Sequence, residues 1–210
     1  MLINIGKISN NETVTEKFRN KYRIPSNRRR GWNYAGNGHY FLTIVTYGRE
    51  SHFGCIENGE MILNGVGQIV YDEFFKSFEL RKELFLGEFV LMPNHLHAIV
   101  ILDKTKCVDD VGTTQGDILT QGTSHHPRFQ RKPKSISSFV AGFKSSTINQ
   151  IDDWIDANNR TMAKFNKNNP LWQSNYYDHI IRTATEYKNI TNYIIRNPLK
   201  WEKDALKQPW

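Results

Sequence analysis

The stretch "VLMPNHLHAIV", Val90 to Val100, sets two histidines one residue apart inside an apolar run. Successive side chains of a β-strand point to opposite faces. His95 and His97 therefore share a face with Ile99 and Ile101, and Leu96 points away. Two neighbouring imidazoles can hold a divalent metal ion. A working site needs at least a third protein donor and open positions for a substrate. The same pattern also suits two packing histidines satisfied by hydrogen bonds.

A further donor is offered by "NITNYIIRNPLKW" near the C-terminal end. Tyr193 and Asn197 stand four residues apart, which puts them on one helical face, one turn from each other. Ile190 and Ile194 form the neighbouring apolar stripe that would dock this helix on the sheet. If it docks over the histidine strand, Asn197 brings a carbonyl oxygen and Tyr193 a phenol. Each has a plain structural reading too: Tyr193 as a half-buried packing aromatic, Asn197 as a residue closing a helix before Pro198. A phenol with a pKa of about 10 is a poor nucleophile at neutral pH. A metal that polarises a phosphate makes phosphorus a better electrophile. Tyrosine can then attack a phosphodiester and form a covalent intermediate.

Such a site needs a scaffold, and the 210 residues suffice for one domain with a sizeable core. Hydrophobic residues make up 39% and aromatics 12%, a composition that folds rather than staying disordered. The net charge of +7 favours a polyanionic partner, nucleic acid first and a membrane surface second. The two cysteines, Cys55 and Cys107, form no CxxC pair, which argues against a thiolate zinc site and for a reduced, cytoplasmic protein. The first residues do not have the pattern of a signal peptide. No apolar run approaches the roughly 18 residues that span a membrane.

Along the chain, residues 1–27 read as a polar N-terminal arm. The segment "YFLTIVTY" (Tyr40–Tyr47) is a strand, and "HFGCIENGEMILN" a hairpin turning at Glu57–Glu60 with Asn-Gly at its centre. Val66, Ile69, Val70, Phe74 and Phe78 recur at helical spacing, predicting a helix over 66–80. "LFLGEFVLM" and "LHAIVIL" are two strands around Pro93-Asn94. A second helix runs from Ser135 to Trp154, a strand lies in "LWQSNYYDHIIR", and a last helix covers Ala184 to Arg196. Between them, 103–134 reads as a mobile polar loop, and its His125-His126 pair as exposed residues rather than a metal site. The order predicts an α+β sandwich, a mostly antiparallel sheet with helices mainly on one face and the other face left for a site.

Several separated blocks then resemble one family. "MPNHLHAIV", "WQSNYYDHIIR", "YIIRNPLKW", "SFVAGFKSS" and the stretch from Gly38 to Val70 are similar to the HUH single-tyrosine transposases, most of all their REP-associated tyrosine transposase branch with its insertion-sequence-200-like transposase domain. The resemblance spans residues 28–201, leaving 202–210 as a tail. It implies a ferredoxin-like or RRM-like fold, and a DNA endonuclease and strand transferase that nicks and rejoins single-stranded DNA through a 5′-phosphotyrosine. It implies His95 and His97 as ligands of Mg²⁺ or Mn²⁺, Asn197 completing the metal site, and Tyr193 as nucleophile. The implied partner is single-stranded DNA with a hairpin, with a monomer expected over a homodimer.

Tyr176 and Tyr177 are rival nucleophiles. The residues four beyond them, Ile180 and Ile181, cannot bind metal, which favours Tyr193. Arg28, Arg29 and Arg30 form the densest positive cluster, and with Lys144 and Arg182 are candidate phosphate contacts. Trp32, Tyr34 and Tyr40 are candidate stacking platforms, with core packing the alternative for Tyr40. Two other functions fit parts of the pattern. A non-catalytic hairpin DNA- or RNA-binding module would use the same fold and charge. A zinc hydrolase would use the two histidines but finds no further ligand at a zinc-enzyme spacing.

Overall fold

A computed structural model describes residues 17–18, 21–22, 28–29, 31–106, 132–158 and 161–207. Arg30, Cys107, His125, His126 and most of the expected arm and loop lie outside these residues. Two-residue strands β1 (Lys17–Phe18) and β2 (Lys21–Tyr22) pair with each other. The main elements follow as β3 (Gly38–Val45), β4 (Gly54–Glu57), β5 (Glu60–Leu63), α1 (Gly65–Glu79), β6 (Leu84–Met92), β7 (His95–Leu102), α2 (Ile136–Ala157), β8 (Tyr177–Ile181) and α3 (Ala184–Ile195). A 3-10 turn over Pro198–Lys203 comes last.

The predicted elements are present, with shifted ends. The β4–β5 hairpin turns at Asn58 and Gly59, both with positive φ (51° and 80°), the conformation an Asn-Gly pair tolerates. α2 starts from Ser135, whose hydroxyl accepts from the Ser138 amide while Ser138 answers to the Ser135 backbone. The strand expected across residues 171–182 is regular only from Tyr177. Before it, Trp172 makes an isolated bridge to Thr46.

The sheet runs in the order β6-β7-β3-β8, and every neighbouring pair is antiparallel. With α1 between β3 and β6 and α2 between β7 and β8, this is the βαββαβ ferredoxin-like arrangement. The β4–β5 hairpin is an insertion between β3 and α1. One face of the sheet presents Leu42 and Ile44 of β3 and Leu96, Ala98 and Val100 of β7 to Phe74 of α1 and Phe139 and Phe143 of α2. The opposite face presents Phe41, Ile99 and Ile181 to Ile190 and Ile194 of α3.

Of the three α-helices among the described residues, α1 and α2 gather on one face, as expected, and α3 lies on the other. The central strands are apolar on both sides, and bare they would expose a large apolar surface to water. α3 covers that second face and leaves the histidine row beneath its C-terminal end. Its close approach depends on Gly87 of β6. A β-carbon there would lie 2.6 Å from the Tyr187 hydroxyl and 3.1 Å from Ile99. No helix among the described residues is long and apolar enough to cross a membrane.

The larger core centres on Phe74, fully buried and in ring contact with Phe75, Phe78, Phe89, Phe139 and Phe143. Phe74→Ala is expected to cost about 3–5 kcal/mol of unfolding free energy in a denaturant titration. A loss below about 1 kcal/mol would contradict this packing.

Candidate active site

β7 carries His95 and His97 on the α3 face, both without meaningful solvent exposure. His95 Nδ1 lies 2.7 Å from Asn94 Oδ1, and His97 Nδ1 lies 2.8 Å from Thr43 Oγ1 on β3. These contacts turn the other nitrogens inward, so that the two Nε2 atoms face each other at 3.2 Å. Phe41 stacks against His97 at 5.2 Å between centroids, and Trp201 flanks His95 at 6.2 Å. Burial pushes the His97 pKa down to about 3. Burial also holds His95 well below the ordinary imidazole range, with the neighbouring imidazole adding to the effect. Both rings are thus neutral at pH 7, the form that binds metals.

α3 begins at Thr183, whose hydroxyl accepts from the Glu186 amide at 3.1 Å. Ile190 and Ile194 seat the helix. Its last turn brings the Tyr193 hydroxyl to 3.2 Å from His97 Nε2, with the ring edge-on to Phe41. Burial is the main cause that pushes the Tyr193 pKa up to about 12. The charge of Asp204 adds to it, and a hydrogen bond with Asn197 partly offsets it. Asn197 sits just past the helix end, 2% exposed, and its side chain meets both Tyr193 and Asp204. Its Oδ1 is buried with no hydrogen-bond partner. A buried acceptor left unpaired is costly and points to a missing electropositive partner.

Asp204 is the site residue that the sequence reading missed. The turn over Pro198–Lys203 reverses the chain and returns Asp204 to the histidines. One atom each of His95, His97 and Asp204 lie within 4.8 Å of one another. Burial raises the Asp204 pKa, opposed by bonds from the Leu206 amide and Asn197 and by the charge of Arg49. Asp204 lies three residues beyond residue 201, where the resemblance ends. The donors are two imidazole nitrogens, a carboxylate and an orphaned amide oxygen, a set that fits one divalent cation.

Other expected site residues scatter. The Lys144 ammonium donates to the carbonyls of Gln173 at 2.7 Å and Asn175 at 3.1 Å, tying the chain before β8 to α2. Burial lowers its pKa to about 8. The Arg28 guanidinium packs over the rings of Tyr34 and Tyr176, at 5.6 and 5.2 Å from their centroids. Arg29 and Arg182 are exposed. Trp32 is 37% exposed and donates its indole N–H to the hydroxyl of Tyr40, which is a core residue. Tyr177 packs edge-on to Phe41, while Tyr176 is engaged by Arg28. Among the described residues, the tyrosine hydroxyl bonded to the histidine pair is that of Tyr193.

No family model matches the chain. It is 34% identical over 182 residues to an uncharacterised protein of Haemophilus influenzae, covering 85% of this chain and 90% of that one. A solved REP-associated tyrosine transposase bound to a REP hairpin aligns with 83% of this chain and 73% of its own, at 17% identity and a TM-score of 0.48. A candidate transposase of Deinococcus radiodurans aligns with 80% of this chain and 95% of its own, at 15% identity and a TM-score of 0.39.

Asp204→Asn should weaken Mn²⁺ binding, read by electron paramagnetic resonance titration, at least about tenfold, the loss that even an outer-shell partner causes. Unchanged affinity would remove Asp204 from the ligand set. The histidines also set a pH dependence. Their folded pKa values lie below the unfolded value near 6.5, so the unfolded chain binds more protons in that window. Stability of the metal-free protein should therefore fall as pH drops below about 6.5, by up to about 1.4 kcal/mol per pH unit for each histidine. Thermal melts between about pH 7 and pH 4 read this directly, and a flat profile would contradict two buried neutral imidazoles.

Proposed function

We infer that this chain, which belongs to the same family as the Haemophilus influenzae protein, is a transposase-like endonuclease that nicks and rejoins single-stranded DNA beside a hairpin. The observation that carries the reading is the Tyr193 hydroxyl 3.2 Å from His97 Nε2, within a cluster completed by His95, Asp204 and Asn197. A tyrosine used only for packing has no need of a buried carboxylate and two neutral imidazoles around its hydroxyl.

In the proposed step, the Tyr193 oxygen attacks phosphorus and loses its proton. The bond from phosphorus to the 3′ oxygen breaks, and that oxygen takes up a proton to leave as a 3′-hydroxyl. The 5′ end remains on Tyr193 as a phosphotyrosine, and attack by a 3′-hydroxyl reverses the reaction. Mg²⁺ or Mn²⁺ held by His95, His97, Asp204 and Asn197 would polarise the phosphate and neutralise the carboxylate that opposes ionisation of the phenol. Phe41 and Trp201 wall the imidazoles from water and strengthen the electrostatics inside. Arg29 and Arg182 are the proposed phosphate contacts, and Trp32 the proposed stacking platform. All the proposed ligands belong to one chain, so a monomer suffices for the site.

Asp204 also gives the zinc-hydrolase reading the third ligand it lacked. The two readings separate on the phenol. Tyr193→Phe should abolish a covalent protein–DNA band on denaturing gels with hairpin oligonucleotides in Mg²⁺ or Mn²⁺, while leaving DNA binding within about twofold. Hydrolysis undiminished by Tyr193→Phe would favour the zinc reading. Binding with no adduct from the wild type across a broad oligonucleotide pool would favour a non-catalytic module.

A further inference from the structure

Asn94 lies between β6 and β7, fully buried, one residue before the first histidine. Its side chain uses every polar atom. The Nδ2 amide donates to the Arg49 carbonyl and to the Leu206 carbonyl, each at 2.8 Å. The Oδ1 faces His95 Nδ1 at 2.7 Å. Two carbonyl acceptors fix which way the amide points, because a flipped amide would set its oxygen against both of them. An amide oxygen has no proton to give. The proton between Asn94 and His95 must therefore sit on His95 Nδ1, and His95 Nε2 must be a bare lone pair.

His97 is held differently. Its Nδ1 meets the Thr43 hydroxyl, which can donate or accept. His97 can thus carry its proton on Nε2, shared toward His95 Nε2 at 3.2 Å, or move it to Nδ1 when a cation occupies the gap. One imidazole is locked and the other is adaptable.

The same amide also reaches the carboxylate ligand. The Leu206 carbonyl bonded to Asn94 belongs to the residue whose N–H bonds Asp204 Oδ1 at 2.6 Å. The Arg49 carbonyl bonded to Asn94 belongs to the residue whose guanidinium donates to the Ala205 carbonyl at 3.2 Å. The Asn94 backbone carbonyl in turn accepts from the Thr46 amide at 2.9 Å.

We propose that Asn94 is a positioning residue that locks His95 with its Nε2 lone pair toward the cation and, through the same side chain, holds the Asp204–Leu206 segment against the histidines. The inference rests on the metal-site reading of the previous subsections, but not on the DNA chemistry. Outer-shell partners of this kind typically contribute about 10–100-fold to metal affinity.

The test is long-range ¹H–¹⁵N correlation spectroscopy of the full chain with ¹⁵N-labelled histidine, without metal. His95 is expected to be protonated at Nδ1 and bare at Nε2. Asn94→Ala should let the Nε2–H tautomer appear at His95 and weaken Mn²⁺ binding about 10–100-fold. Asn94→Asp keeps an acceptor and loses both donors, so the His95 tautomer should persist while the Leu206 amide exchanges faster with solvent. A proton found on His95 Nε2 in the wild type would overturn the proposal, and this reading stands even if the variants fail to fold. So would a folded Asn94→Ala variant with unchanged tautomer and Mn²⁺ affinity. The expected tautomer in a protein that never forms a DNA adduct would leave Asn94 in its role and remove the phosphotyrosine chemistry instead.

Discussion

Two neutral imidazoles buried with their Nε2 atoms 3.2 Å apart form the contact on which this molecule turns. In water, each lone pair would have its own hydrogen bond. Here both rings are buried and flanked by Phe41 and Trp201, with a phenol, a carboxylate and an unpaired amide oxygen beside them. Two imidazole nitrogens, a carboxylate and an amide oxygen converge there, a donor set that would suit a divalent ion.

The fold can be read outward from that contact. β7 alternates cleanly, so its other face contributes Leu96, Ala98 and Val100 to the large core under α1 and α2. That core makes the strand rigid, and the rigid strand fixes the spacing of the histidines. α3 closes the second face through a much smaller apolar cluster. The helix that carries the phenol is therefore seated less deeply than those beneath the sheet, and Gly87 and the Glu186–His179 bond of 2.6 Å near its start help define its place. The C-terminal segment is held by the buried Trp201 and Leu206 and by polar ties from Arg49 and Asn94.

Much of this was legible in the sequence because it is periodic. The HxH alternation, the four-residue step from Tyr193 to Asn197, the Asn-Gly hairpin and the element order all follow from strand and helix repeats, and all are present. What escaped has no period. Asp204 enters after a proline-led 3-10 turn, where spacing from Tyr193 says nothing about direction. Asn94 looks like an ordinary turn residue until its two partners distant in sequence, Arg49 and Leu206, are known. Lys144 and Arg28 are candidate phosphate contacts by charge alone, because sequence does not show the backbone carbonyls and tyrosine rings that meet them. By contrast, the docking of α3 over the histidine strand was legible, because Ile190 and Ile194 mark its apolar face.

The central claim is that the Tyr193 oxygen becomes the phosphate carrier. Peptide mapping by mass spectrometry, after reaction of the wild-type chain with a single-stranded hairpin oligonucleotide and Mn²⁺, reads that atom's fate without any substitution. The account predicts a nucleotide-linked peptide whose fragment ions place the added phosphate on Tyr193. A phosphate on Tyr176 or Tyr177, or cleaved DNA with no modified peptide, would contradict it.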